Sequence, residues 1–175
     1  LSGDAGDDRL NAGAGRDFII GGAGADVISG GSDNDALYGG NDRDTLDGGT
    51  GDDRLSGGEG RDRITGGLGN DVFIYETIED AGDTITDFSS AAGNDDSFAF
   101  SSDGFGGIAP GSLRAAQFQS STFDTAQTAA VRFFYDTDDA SLYFDRDGGA
   151  GGFGPVLLAK LQPGATVVIG DFTIV

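Results

Sequence analysis

The sequence predicts an all-β chain: a right-handed parallel β-roll of two short-stranded parallel sheets over residues 1–74, followed by a β-rich C-terminal capping domain over residues 75–175. Three observations carry this expectation. Aspartate recurs at positions 8, 17, 26, 35, 44, 53, 62 and 71, always nine residues apart. Two residues after each stands a large apolar side chain: Leu10, Ile19, Ile28, Leu37, Leu46, Leu55, Ile64 and Phe73. Four and five residues before each Asp the chain is mostly glycine, which gives the template Gly-Gly-x-Gly-x-Asp-x-apolar-x; residues 21–29, GGAGADVIS, fill every position of it.

A nine-residue unit reads as a six-residue turn and a three-residue strand whose central apolar side chain points inward. Two units complete a coil of 18 residues, so the eight units of residues 3–74 make four coils. Odd repeats then form one sheet and even repeats the other, and turns on the same side stack. A disordered Gly/Asp-rich linker could share the composition, but nothing would hold its aspartates and apolar residues in register. Glycine at the first, second and fourth places permits a positive φ and lets main-chain carbonyls converge without a Cβ in the way. The repeat aspartates Asp8, Asp17, Asp26, Asp35, Asp44, Asp53, Asp62 and Asp71 add charge to that cage. Carbonyl and carboxylate oxygens in a flexible cage suit Ca²⁺, which takes six to eight oxygens at about 2.3–2.6 Å; Mg²⁺, held to strict octahedral geometry, suits it less.

Composition narrows the functions further. There is no Cys and no His, hence no disulfide framework, thiolate site, imidazole base or histidine zinc ligand. Thirty Asp and Glu against ten Lys and Arg give a net charge of −20, which repels nucleic acid and anionic membranes and attracts cations. No apolar run reaches the roughly 18–20 residues of a membrane span. Residues 3–74 carry 15 acidic side chains and one large apolar side chain per nine residues. A core that small is expected not to hold against that repulsion and the entropy of glycine, so this region is expected to fold on binding calcium.

The motifs GGAGADVIS, GGTGDDRLS, GGEGRDRIT and GGLGNDVFI resemble the hemolysin-type, or RTX, calcium-binding repeats of proteins exported by bacterial type I secretion. The resemblance implies that each Ca²⁺ sits between two turns on the same side. The earlier turn would supply its Asp and the carbonyls of its first and third residues: Gly3 and Ala5, Ala12 and Ala14, Gly21 and Ala23, Gly30 and Ser32, Gly39 and Asn41, Gly48 and Thr50. The later turn would supply its Asp and the carbonyls of its second and fourth residues: Gly22 and Gly24, Gly31 and Asp33, Gly40 and Asp42, Gly49 and Gly51, Gly58 and Gly60, Gly67 and Gly69. Pairing repeats two apart implies about six internal ions, with room for more at the caps. Asp4, Ala12, Asp33 and Asp42 depart from the glycine pattern. Ala12 is expected to tolerate a positive φ poorly and to weaken the first coil, whereas Asp33 and Asp42 enter that region more readily.

Beyond residue 74 the period ends and ordinary strand patterning begins, at residues 83–88, 96–100, 130–135, 140–145, 156–161, 167–169 and 172–175, with a hairpin turn at 136–139 and a short helix near 112–118. The DTITDF run and the terminal DFTIV resemble the C-terminal domain that follows such repeats, caps the roll and carries the export signal. The resemblance makes Asp83, Asp87, Asp95 and Asp96 candidates to complete the last calcium sites; as solvated turn residues they would need no such role. Gly149-x-Gly151-x-x-Gly154 runs into Pro155 and no helix, so it reads as a loop rather than a dinucleotide fingerprint. Asp145-x-Asp147 lacks the Gly and Glu of an EF-hand loop.

The expected function is non-catalytic: a calcium-folded C-terminal module of a bacterial exported protein, acting as folding switch, cap and export signal. The implied partners are calcium ions, a type I exporter and an upstream domain that would hold any catalysis, and the implied location is extracellular. The alternative is a calcium-stiffened structural or adhesive module of an adhesin or surface-layer protein. Outward positions of the even sheet, Phe18, Ile20, Tyr38, Val72 and Ile74, are more apolar than those of the odd sheet, which makes the even sheet the expected docking face for the second domain or for something upstream.

Overall fold

The computed structural model describes residues 1–122, 131–146 and 154–175. Nine strands follow the repeat: β1 (Ser2–Ala5), β2 (Arg9–Ala14), β3 (Phe18–Ala23), β4 (Val27–Ser32), β5 (Ala36–Asn41), β6 (Thr45–Thr50), β7 (Arg54–Glu59), β8 (Arg63–Leu68) and β9 (Val72–Tyr75). Consecutive strands alternate between two sheets, so each pairs in parallel with the strand 18 residues away: Ile19 lies opposite Leu37, and Ile28 opposite Leu46. This is a parallel β-roll. Its interior is one stack of apolar side chains, with Ile19, Leu37, Leu55 and Phe73 from one sheet facing Ile28, Leu46 and Ile64 from the other, all essentially inaccessible to water. Leu10, with no coil beneath it, is only half-buried.

The strands are longer than the three residues expected. Pairing runs on from the apolar residue through the glycines, with Gly22 opposite Gly40 and Ala23 opposite Asn41. Same-side turns stack so closely that their backbones form ladder bonds where an isolated turn would face water.

Residue 74 marks a change of period and no break in the fold. The later strands are β10 (Asp83–Ile85), β11 (Ser90–Ala91), β12 (Asn94–Asp95), β13 (Ser97–Phe100), β14 (Gly111–Ser112), β15 (Phe118–Ser121), β16 (Phe133–Asp136), β17 (Ser141–Phe144), β18 (Val156–Lys160) and β19 (Phe172–Ile174). Strand β13 extends the first sheet from β9, followed by β19 and then β14; β10 extends the second from β8, followed by β18, β17, β16 and β15. The aliphatic stack of the roll becomes aromatic here. Phe73 meets Phe88 and Phe98, Phe88 stacks on Phe98 at 4.7 Å, and Phe98 and Phe100 both contact Phe172. Each such ring, fully buried, contributes about 1.5–3 kcal/mol, so this region anchors a roll whose own core is thin.

The hairpin forms as β16 and β17, antiparallel, with Phe133 opposite Phe144. Residue 130 of the expected first strand, and residues 149–153 and 147 of the two weak motifs, lie outside the described residues. The short helix near 112–118 is a single 3₁₀ turn, Ala115–Gln117, between β14 and β15. Residues 167–169 are not a strand: the Val168 N–H is taken by the Asp171 carboxylate (2.8 Å), which starts a 3₁₀ turn at Ile169–Asp171 instead of a ladder.

The docking expectation is met only at one end of the even sheet. Residues 75–175 continue the roll end-on, burying Ile74, and Tyr38 lines a groove with Ser101 and Gly104. Phe18 and Ile20 remain 57% and 39% exposed, Phe18 packing its ring 5.3 Å from Tyr38.

Candidate metal centre

The eight repeat aspartates stand in two columns, one on each turn side. In each column one carboxylate oxygen accepts the backbone N–H of the Asp 18 residues earlier: Asp8 donates to Asp26 Oδ1, Asp26 to Asp44 Oδ1, and Asp44 to Asp62 Oδ1, all at 2.8 Å. On the other side Asp17, Asp35, Asp53 and Asp71 repeat the arrangement at 2.8–2.9 Å. The second oxygen, Oδ2, of all eight is buried and accepts no hydrogen bond. A buried carboxylate oxygen without a partner is costly, and eight in register define a system of sites with a shared missing partner.

The glycines show where that partner fits. At Gly30 a β-carbon would stand 2.5 Å from Asp35 Oδ2 and 2.7 Å from the Gly48 carbonyl oxygen; at Gly3 it would stand 2.6 Å from Asp8 Oδ2 and 2.7 Å from the Gly21 carbonyl. Oxygens of two stacked turns therefore converge on space that glycine leaves open in seven of the eight repeats, the exception being Ala12 in the first coil. The first glycine is needed for this room and not, as expected, for a positive φ, which it does not adopt. The strain expected of Ala12 is absent for the same reason, and its methyl packs against the core. The second position does need a positive φ: Gly22 has φ 119°, and a β-carbon there would strike the Asp4 carbonyl. Asp4 sits in that conformation (φ 69°) in the first coil, where no earlier turn lies beneath it. Asp33 (φ 75°) and Asp42 (φ 78°) hold the fourth position in the left-handed region, and Asp33 Oδ2 accepts the Gly15 N–H of the turn below (3.2 Å).

Electrostatics point the same way. Burial, opposed by the hydrogen bond from Asp26 and reinforced by Asp62 and Asp26, pushes the Asp44 carboxyl up to about 7. The same causes take Asp53 and Asp71 to about 6 and raise Asp35 and Asp62. Stacked carboxylates without a cation resist ionising, whereas a divalent cation against their free oxygens reverses the balance. Among the described residues no group of three or more Asp or Glu converges on one point. An ion held between two stacked turns would add main-chain carbonyl oxygens to the carboxylates, as a Ca²⁺ cage does.

Of the four later candidates, two continue the columns. Asp83 Oδ1 accepts the Asp62 N–H (2.9 Å) and Asp96 Oδ1 the Asp71 N–H (3.1 Å). Two and two residues on, Ile85 lies opposite Ile64 and Phe98 opposite Phe73, so Asp83-Thr84-Ile85 and Asp96-Ser97-Phe98 are a fifth coil. Burial, with Asp62 beside it, takes the Asp83 carboxyl to about 8, and burial takes Asp96 to about 6. Asp87 instead accepts the Gly66 and Gly67 N–H groups (3.0 and 2.8 Å), closing the turn of the eighth repeat. Asp95 is exposed and stays out of the column, its N–H donating to Asn70 Oδ1 (2.8 Å). It ends a second, shallower ladder the repeat pattern did not suggest, in which Asp52 donates to Asn34 (3.1 Å) and Asn70 to Asp52 (2.9 Å).

A family model agrees with this geometry. The family model of the RTX calcium-binding nonapeptide repeat, which spans four copies, matches twice in succession, at residues 2–37 and 38–73. No curated protein matches the chain. Among solved structures, the solution structure of the AlgE6R3 subunit from the Azotobacter vinelandii mannuronan C5-epimerase is 24% identical, with a TM-score of 0.47 over 99% of this chain and 80% of that one. Eight in-phase repeats, two columns of buried carboxylates and the double family match together place the repeat region of this chain in the RTX calcium-binding nonapeptide family.

Proposed function

We propose that this chain is a calcium-folded, non-catalytic module of an exported bacterial protein, whose repeats order on reaching calcium outside the cell and whose residues 75–175 cap the roll and carry the export signal. The observation that carries this reading is the register of eight buried, partnerless Oδ2 atoms. Without cations they oppose folding, and with them they become ligands. Extracellular calcium modules bind at about 10⁻⁴–10⁻³ M, well above cytosolic calcium, so compartment would decide the folded state. The ions would sit between Asp8 and Asp26, Asp26 and Asp44, and Asp44 and Asp62 on one side. On the other they would sit between Asp17 and Asp35, Asp35 and Asp53, and Asp53 and Asp71. Asp83 would complete one further site at the cap, whereas Asp96, whose Oδ1 and Oδ2 accept the Asp71 and Ser89 N–H groups, closes its column by hydrogen bonds.

A type I exporter and an upstream domain of the same protein are the partners this reading implies. Two measurements test it. Far-ultraviolet circular dichroism should report a disordered repeat region in excess chelator and β structure in millimolar Ca²⁺; equal signals would overturn the folding switch. Deleting residues 171–175 should lower export from a type I-competent host, and undiminished export would remove the secretion role while leaving calcium binding intact.

A further inference from the structure

Calcium chemistry leaves one cavity of the cap without a role. It encloses about 590 Å³ and is lined by the loop after Phe105, by Ser112, Arg114 and Gln117, and by the open end of the β16–β17 hairpin at Arg132, Phe144 and Arg146. The chain has three acidic residues for every basic one, yet among the described residues this lining holds three arginines and no Asp or Glu.

The arginines are placed by the fold. Arg132 and Arg146 flank the Phe133–Phe144 pair, joined there by the Asp145 N–H donating to the Arg132 carbonyl (2.7 Å), and Arg132 Nη1 donates to the Arg146 carbonyl, which fixes one guanidinium at the rim. Arg114 enters from the loop after β14, where Gln117 Oε1 accepts its N–H (3.0 Å). Among the described residues the one ion pair is Lys160 with Asp139, and none joins a carboxylate to these three guanidinium groups. Phe105 and Phe144, buried and edge-to-face at 5.1 Å, supply an apolar floor beneath them. Converging cations repel each other, and in a concave site over an apolar floor that repulsion is poorly screened. An oxyanion relieves it, since the planar guanidinium fork pairs two parallel N–H groups with carboxylate, sulfate or phosphate oxygens.

We propose that this cavity binds a small polyvalent oxyanion, clamped by Arg114, Arg132 and Arg146. The net charge of −20 repels anions at long range, so binding depends on this local clamp and tightens as calcium neutralises the roll. The test is calorimetric titration of the calcium-loaded full chain with sulfate and with succinate, at fixed ionic strength, to tell a tetrahedral oxyanion from a dicarboxylate. Saturable binding of either is expected, weakened about tenfold or more in Arg132→Gln and in Arg114→Gln and unchanged in Arg63→Gln, which removes an exposed charge on the outer face of β8. Arg114 is exposed and outside the sheets, so its variant tests the clamp even if Arg132→Gln impairs the hairpin. No saturable binding of either anion, or an equal loss in Arg63→Gln, overturns the proposal.

Discussion

Asp44 is the carboxylate on which the calcium reading can be tested most sharply, because its two oxygens do different things. Oδ1 accepts the buried Asp26 N–H at 2.8 Å, while Oδ2 is buried and free. Asp44→Asn keeps an oxygen for the Asp26 N–H and replaces Oδ2 with an amide that cannot ligate a cation. Asp44→Ala removes both. A charged ligand lost from a shared position, at about 1.5–3 kcal/mol, corresponds to a rise of roughly ten- to a hundredfold in the calcium needed for half-folding, since each 1.4 kcal/mol is a factor of ten. Asp44→Ala adds the penalty of an unpaired buried N–H, about 1–3 kcal/mol, which persists at saturating calcium and appears as a lower urea midpoint. The assay is a calcium titration followed by circular dichroism, with Asp47→Asn, an exposed outward aspartate, as the charge-matched control. Titration curves of Asp44→Asn and Asp47→Asn that superimpose on the wild type would refute the ligand role of the column.

Four further outcomes follow. In chelator, acid should promote order: Asp83, Asp44, Asp53, Asp71 and Asp96 have folded values of about 8, 7, 6, 6 and 6, above the ordinary 3.8, so the metal-free fold is favoured below pH 4 and loses that support as pH rises from 4 to 8. Compaction measured by small-angle scattering should therefore increase on acidification without calcium, and an opposite trend would contradict the burial of the column. Gly30→Ala should weaken calcium-induced folding and cost about 1–3 kcal/mol from overpacking, more than Gly6→Ala, which has a positive φ but open space around it, as urea melts in calcium will report. Asp83→Asn should weaken the terminal site that it shares with Asp62 and lower the measured calcium stoichiometry by one. Removing residues 171–175 strips Phe172 and Ile174, both buried, from the first sheet and should cost roughly 3–6 kcal/mol of cap stability in excess calcium, read by chemical denaturation.

The roll was legible in the sequence because its periodicity is itself the contact map: a nine-residue unit that alternates sides puts residue i beside i+18, and Ile19 opposite Leu37 needs no more information than that. The same logic stopped at residue 74. Asp83 and Asp96 follow Asp62 and Asp71 by 21 and 25 residues, so inserted residues hide a fifth coil that the Asp-x-apolar signature at Asp83-Thr84-Ile85 and Asp96-Ser97-Phe98 still spells out. The repeat pattern suggested glycine both for a positive φ and for room around converging oxygens; at the first position the structure keeps only the second reason. The arginine cavity gave no sequence signal at all. The β16–β17 pairing at Phe133 and Phe144 brings Arg132 and Arg146 together, and the loop after β14 adds Arg114.

The placement of β19 sets an order of assembly. The final strand of the chain lies inside the first sheet, between β13 and β14, not at its edge. Repeats can zip together coil by coil from local contacts, but the aromatic anchor over Phe98 and Phe100 closes only when the last residues arrive. Holding residues 172–174 away from the first sheet thus leaves the aromatic anchor open, and their insertion between β13 and β14 is the event that closes it.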